Sequence, residues 1–318
     1  MHETGDWSVC GWRVRSDVPL PYLMPWTGAD REPDVVFRLG AVPATLDTPR
    51  FVGRRLQVGE DSGCRYQHPA AGPILVRGGR EVVVDPAPDA PPELVAALLL
   101  GPALAILAHQ RSLIPLHACC VEVDGRAVAV TGPSGAGKST LAAAFVHAGH
   151  RVLSDDLTVV DAGGRDADAD RVMALPGMPQ LKLSPDMLDL FGADRRGLAP
   201  SVTRPDKLQL PVSEAYQPSA TPLHAIYEMI SVVEGSWNII ERLAGADAVA
   251  VLMSGLYAPS LGRRIAGRRT LFEQASRIAR GVRGIYRLRP ASGKSGLETA
   301  VALVADHTGS GGGVTVDD

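Results

Sequence analysis

Residues 132–156 read GPSGAGKSTLAAAFVHAGHRVLSDD: a glycine-rich loop ending in Lys-Ser-Thr, then two adjacent carboxylates, Asp155 and Asp156. Gly132 through Ser139 satisfy G-x-x-x-x-G-K-[ST]. At Gly132, Gly135 and Gly137 the missing side chains let backbone N–H groups converge on phosphate oxygens, and the positive end of the following helix points at the same place. Lys138 is suited to neutralising β/γ-phosphate charge and the Ser139 hydroxyl to ligating Mg²⁺. The nucleotide-binding run is therefore Gly132, Pro133, Ser134, Gly135, Ala136, Gly137, Lys138 and Ser139, with Thr140 beside it to cap or pack. An apolar strand, AVAVT, precedes the loop and a helix, KSTLAAAFVHAG, follows it. That context favours a ligand site over a bare strand-to-helix turn.

Carboxylates beside phosphate can hold a metal, activate water, or take a proton from a group about to be phosphorylated. The strand HRVLS after the loop helix runs parallel to the loop-bearing strand in a right-handed βαβ unit, so its C-terminal end opens on the same edge as the loop. Neighbouring residues of an extended strand point to opposite sides. One of Asp155 and Asp156 is thus expected to face metal and Lys138, and the other an incoming group; a solvated turn is the plainer use of such a pair. His117, on the strand just upstream, comes near the aspartates if these strands pair. His147 and His150 read as surface or packing residues. In RPDKLQL, Arg204 and Lys207 are placed to close over a γ-phosphate. Arg263, Arg264, Arg268, Arg269, Arg277, Arg280, Arg283, Arg287 and Arg289 form either a solvated basic face or a dock for an acidic acceptor or for phosphates.

The elements that must position these groups follow from local pattern. Residues up to about 85 read as short strands and turns: DVVFRLG, RRLQVG, and the hairpin GPILVRGGREVVVDP turning at Gly78-Gly79. Pro86 to Pro92 link to LVAALLLGPALAILAH, which is short for a membrane span, contains Gly-Pro, and reads as a buried core helix whose first turn holds Pro91 and Pro92. LHACCVEVDGRAVAVTG reads as two strands about Asp124-Gly125, and LTVVDAGG as a further strand toward the acidic loop GGRDADADR. LPGMPQLKLSPDMLDLFG reads as a turn-rich loop and a short helix from Ser184-Pro185; residues 193–222, rich in proline and charge, read as a functional or mobile loop. Strands in AIYEMISVVEG and WNIIERL, helices near 245–257 and 269–281, the strand GIYRLRP, a closing helix in GLETAVALVADH and a disordered tail complete the chain.

The 318 residues, 45% of them hydrophobic and 5% aromatic, suit mixed α/β packing, and the net charge of −3 supplies no field that draws nucleic acid or membrane. The N-terminus lacks a secretory pattern. Cys10, Cys64, Cys119 and Cys120 lack metal spacing, so the chain reads as a reducing, cytoplasmic protein. The expected division is a β-rich part over 1–90, a nucleotide-binding domain over 91–307 and a tail over 308–318.

The segment LHACCVEVDGRAVAVTGPSGAGKSTLAAAFVHAGHRVLSDD resembles the core of HPr kinase/phosphorylase and its shorter relatives, with a His, a Gly turn, the phosphate loop and an Asp pair at the family's spacing. A weaker likeness continues through LPGMPQLKLSP and GIYRLRP. The resemblance implies an α/β fold with a P-loop-containing, mixed-sheet core, and ATP- and Mg²⁺-dependent phosphorylation of a serine hydroxyl on a peptide or protein. Homo-oligomer formation is left open. It makes Lys138 and Ser139 the phosphate and metal residues, Asp156 the base toward the acceptor, Asp155 its metal-side partner and His117 their neighbour. The GRGLG loop of full-length members is not recognisable, the nearest stretch being LFGADRRGLAP. That points to a short relative, a class that includes lasso-precursor kinases, acting on a peptide or another small acceptor. A small-molecule kinase and a nucleotide-binding regulatory module are the competing readings.

Overall fold

The computed structural model describes residues 5–163, 171–230 and 239–309. Most of the acidic stretch GGRDADADR, and the tail from residue 310 on, lie outside the described residues; residues 308 and 309 belong to the closing helix.

Short apolar alternations punctuated by turns give the first strands: β1 (Gly5–Val9), β2 (Trp12–Ser16), β3 (Met24–Pro25), β4 (Val35–Leu39), β5 (Pro49–Val52), β6 (Leu56–Gly59), β7 (Cys64–His68), β8 (Gly72–Arg77) and β9 (Glu81–Val84). They join in the order β3-β1-β2-β4-β9-β8-β7-β6-β5. The hairpin expected at Gly78-Gly79 forms: β8 and β9 pair antiparallel, and the two glycines take φ of 58° and 63°, values a two-residue turn requires.

Pro91 and Pro92 open the apolar helix, which runs as α1 (Pro92–Leu98), a π-helical turn (Leu99–Ala103) and α2 (Leu104–Gln110). Pro102 cannot donate into the ladder, and the wider turn absorbs the interruption. The span Pro92–Gln110 is long and apolar enough to cross a membrane, yet 67% of it is buried inside the protein, as expected of a core helix. Leu99, Leu100, Ile106 and Leu107 share one apolar cluster with Val14, Phe37 and Ile74 of the first sheet and with Leu157, Val159, Leu261 and Ile265 from later in the chain. The helix thus packs into the core of the β-rich part.

The second sheet begins with β10 (Ile114–Leu116), β11 (Ala118–Val123) and β12 (Arg126–Thr131). After α3 (Lys138–His147), closed by Gly149 at φ 90°, come β13 (Arg151–Ser154), β14 (Thr158–Asp161), β15 (Met173–Leu175), β16 (Gln180–Leu183) and α4 (Pro185–Leu190). Next are β17 (Pro200–Ser201), β18 (Arg204–Pro211), β19 (Thr221–Met229), β20 (Ile239–Leu243), α5 (Gly245–Ser254), α6 (Pro259–Ile265), α7 (Arg268–Gly281), β21 (Gly284–Arg289) and α8 (Gly293–Gly309). The order is β10-β14-β15-β19-β12-β11-β13, with β21 on β19 and β20 on β21. β12, β19 and β21 run parallel, whereas β11 is antiparallel to both β12 and β13. β13 therefore runs parallel to β12 as the sequence suggests, but with β11 between them. Cys119 faces a layer with Leu141, Phe145 and Val304, and Cys120 the opposite layer with Leu252, Leu271 and Ile278. Helices thus cover both faces of a mixed sheet, an α/β architecture. All four cysteines are free and buried.

Three corrections follow. The stretch LPGMPQLKLSP, expected as a turn-rich loop, contains β16, which pairs with β18. Residues 193–222 are not loop throughout: within them β18 pairs with β16 and β17 in a separate three-stranded sheet. Its longer partner, β16, lies well upstream, so local proline and charge content concealed it. His117 is not within a strand. It sits at the break between β10 and β11, where its N–H donates to Gly255 O at 2.7 Å and its carbonyl accepts from the Thr131 hydroxyl at 3.2 Å.

Candidate active site

β12 ends at Thr131 and delivers the loop at the sheet edge, opposite Glu228 of β19. Gly132 passes the end of β19 so closely that a Cβ there would lie 2.2 Å from Met229 O. Gly137, at φ 100°, is the residue before α3, so only glycine fits both the contact and the turn. Lys138 is buried, and its ammonium donates to Gly132 O and Pro133 O at 2.8 and 3.0 Å. Burial lowers its pKa below the usual lysine value; Lys207 of β18 adds to that effect, while Asp155 and Asp156 oppose it. Arg204, also on β18, donates to the Ser134 hydroxyl at 3.1 Å while paired with Asp206. β18 thus carries both basic residues to the loop.

The two aspartates part at a tight reversal. Leu157 N–H donates to Asp155 O at 2.9 Å, and Asp156 takes φ 72°. A hydrogen bond between residues two apart across a centre of positive φ is a γ-turn of the rare, strained hand, a cost that recurs at functional positions. Its effect is to aim neighbouring carboxylates at different places. Asp155, 4% exposed, accepts from the Ser139 hydroxyl at 2.9 Å and from Lys182 N–H at 3.0 Å. Burial pushes its pKa up, and Asp156 pushes the same way. Asp156 pairs with the Lys182 ammonium at 2.7 Å and lies 3.2 Å from His117 Nδ1. Burial alone would raise its pKa, but the His117 hydrogen bond and the Lys182 charge together hold it well below the carboxylate range. Environment thereby separates two chemically identical groups.

Lys138, Ser139, Asp155, Asp156 and His117 are therefore brought together, and Arg204 and Lys207 flank them. Thr140 lies half-buried in the first turn of α3. His147 and His150 pack against Phe191 and Phe145. Of the C-terminal arginines, Arg287 pairs with Glu228 at the loop edge, Arg264 stacks on Phe51 and Arg269 pairs with Glu273. Lys182 is the residue that sequence reasoning missed. Its signal was the alternation in QLKL, which buries Leu181 and Leu183 in the core and turns Lys182 the other way.

Ser139 Oγ and Asp155 Oδ1 give two hard oxygen donors beside the loop. Among the described residues no group of three or more His, Cys, Asp or Glu could hold a metal. Such sparse ligation suits Mg²⁺, which usually keeps phosphate and water oxygens as its other ligands. Two cavities lie beside this cluster, one against His117 and the other against Asp156. One, of about 500 Å³, runs along Gly132–Ser134 and is lined also by His117 and Glu228. The other, of about 250 Å³, is lined by Asp156 and Lys182 together with residues of the first sheet and of the π-helical turn. Tyr257 lines both.

No protein-family model matches the chain. Over 154 residues it is 30% identical to a Fusobacterium nucleatum protein named "Putative HPr kinase/phosphorylase", covering 44% of this chain and 24% of that one. Over 98 residues it is 39% identical to the HPr kinase/phosphorylase of Lactobacillus delbrueckii subsp. bulgaricus, covering 28% of each. The chain thus spans about a quarter of the length of these curated relatives. The resemblance to HPr kinases is shared by these comparisons: the chain is HPr kinase-like over the matched stretches. The solved Hpr(Ser) kinase/phosphatase of Coxiella burnetii superposes with a TM-score of 0.31 at 14% identity, covering 61% of this chain and 95% of that one. So loose a likeness carries no weight here.

Proposed function

We propose that the protein is an ATP-dependent kinase that transfers the γ-phosphoryl group to a serine-type hydroxyl of a peptide or other small acceptor. A ribosomally made precursor peptide such as a lasso precursor is the acceptor class that the sequence resemblance favours. One observation carries the reading: Asp155 is bonded to Ser139 of the loop, while Asp156, the next residue, faces a separate cavity in company with Lys182. That is the division of labour a transfer needs, with phosphate and metal on one side and acceptor on the other.

In this scheme the loop N–H groups and Lys138 hold the triphosphate, and Arg204 and Lys207 add charge over its end. Ser139 and Asp155 would hold Mg²⁺, which when bound offsets the charge of the transferring group. The acceptor oxygen forms its bond to γ-phosphorus as the bond to the β–γ bridging oxygen breaks. ADP leaves and the hydroxyl proton passes to Asp156. A carboxylate held ionised by Lys182 is always free to receive that proton, but it is a weak base. It therefore serves a loose transition state, in which the proton moves late. His117, against Asp156, fixes its orientation.

The test is transfer from γ-labelled ATP with Mg²⁺ to peptides and small hydroxyl compounds, with Asp156→Asn beside the wild type. A kinase loses roughly 10²–10⁴-fold in transfer rate while still binding ATP. A regulatory nucleotide-binding module shows no labelled product from either form, and that outcome ends the proposal.

A further inference from the structure

The cavity that Asp156 faces is built largely by parts of the chain outside the loop-bearing sheet. Arg55, next to β6, and Tyr66 and His68 of β7 line it from the first sheet; Gly101 and Pro102 line it from the π-helical turn. Among the described residues Asp156 is the only acid in its wall, and Lys182 is already paired to it. Among the described residues no carboxylate stands within ion-pair distance of Arg55. His68 Nδ1 accepts from Ala71 N–H at 2.9 Å, which puts the proton of the neutral ring on Nε2 as a further donor. Both side chains line the cavity, and burial, then the charge of Arg55, lower the His68 pKa. At Gly101 a Cβ would lie 3.0 Å from the Tyr257 hydroxyl, so the bulged helix admits Tyr257 to the cavity through a glycine. A volume of about 250 Å³ falls below the ~300–1,000 Å³ of drug-sized sites. It suits a group the size of one amino acid.

We propose that this cavity is the acceptor subsite and that it selects an acceptor bearing a carboxylate near its hydroxyl, the hydroxyl facing Asp156 and the carboxylate held by Arg55 and His68. The β-rich part is thereby the specificity element. The proposal rests on the kinase reading for the identity of the hydroxyl, but the anion subsite has its own readout in binding. Arg55 is a positioning residue, exposed at the cavity mouth, so replacing it leaves the core untouched.

The experiment is calorimetric titration of the full chain and of Arg55→Ala with glycerate and with a short peptide containing Ser-Glu. Glyceramide and the matching Ser-Gln peptide serve as uncharged controls. At least one carboxylate probe should bind the wild type, and its affinity should fall ten-fold or more in Arg55→Ala, with partial recovery in Arg55→Lys. The uncharged controls should not distinguish the forms. Binding of glycerate assigns the whole cavity to a free hydroxy acid; binding of the peptide alone assigns it to a residue in a chain. Absence of binding by both carboxylate probes, or binding indifferent to Arg55, overturns the subsite. Transfer assays on the same samples keep the two ideas apart. Arg55-dependent binding without phosphorylation refutes the kinase reading and leaves the subsite standing. With transfer, Arg55→Ala should raise KM for the carboxylate acceptor ten-fold or more and leave KM for ATP within two-fold.

Discussion

Asp155 and Asp156 should respond to the same isosteric substitution with stability changes of opposite sign. Asp156→Asn removes the acid of a 2.7 Å ion pair and leaves Lys182, whose side chain is 14% exposed, without its counter-charge. A fully buried pair broken in this way costs about 3–5 kcal/mol, and an exposed one about 0–1 kcal/mol. Solvent reaches 34% of the Asp156 side chain and screens the pair, which places the loss at about 1–3 kcal/mol. For a chain of 318 residues that is a fall of roughly 1.5–4.5 °C in Tm. Asp155→Asn keeps a carbonyl oxygen for Lys182 N–H and a polar group for Ser139, and it removes a charge that burial disfavours. Its Tm should rise. The pH dependence follows from the pKa directions. The raised pKa of Asp155 means that its penalty applies where it is ionised and is relieved as pH falls, so the gain from Asp155→Asn shrinks on acidification. The depressed pKa of Asp156 means that its contribution is fully present above the ordinary value of 3.8 and is lost only as pH falls through its own lower value. The loss from Asp156→Asn should therefore hold from pH 8 to pH 5. Melts followed by circular dichroism at several pH values test this, with phosphoryl transfer assayed on the same samples. Both variants should lose transfer. Shifts of the same sign, or an Asp156→Asn protein that melts with the wild type, would refute the electrostatic separation of the pair.

Further predictions concern groups around this pair. His109 is 4% exposed, both its ring nitrogens are unpartnered among the described residues, and burial lowers its pKa to about 4 from 6.5. Stability should be complete above pH 6.5 and fall as pH drops toward 4, by about 3 kcal/mol in all. Denaturant melts of His109→Leu should show a flatter profile over that interval. Gly132→Ala forces a Cβ toward Met229 O at a φ of 141°, so it should destabilise by at least about 2 kcal/mol and weaken nucleotide binding, read by calorimetry. Arg204→Ala removes the contact to Ser134 and should raise KM for ATP several-fold with little change in Tm, since Arg204 is a half-exposed surface residue. Chelation of Mg²⁺ should abolish transfer, and Ser139→Ala should raise the Mg²⁺ concentration needed to restore it.

Much of this site was legible because its parts are local. A loop, its helix and a strand with two acids occur within 25 consecutive residues, and their spacing alone sets the carboxylates beside the loop. The hairpins at Gly78-Gly79 and Asp124-Gly125 were legible for the same reason: positive-φ turns are written in two residues. Legibility failed where a residue's environment comes from elsewhere in the chain. β18 reads as loop because it gains its hydrogen bonds from β16 and β17, not from its own pattern. Lys182 passes for an ordinary surface lysine until β16 sets it against Asp156. His117 reads as a strand residue, yet Gly255 and Thr131 hold it at a break.

By itself the sequence determined the glycine-rich loop, the helix that follows it, the carboxylate pair and the burial of the apolar helix, since hydrophobic periodicity and turn chemistry act over a few residues. Tertiary structure alone decided which carboxylate looks at the loop and which at the cavity, that Lys182 and His117 would keep the second one ionised, and that Arg55 and His68 would share that cavity with it. Those outcomes depend on desolvation and on charges a few ångströms apart in space but far apart in the chain, and no local pattern encodes them.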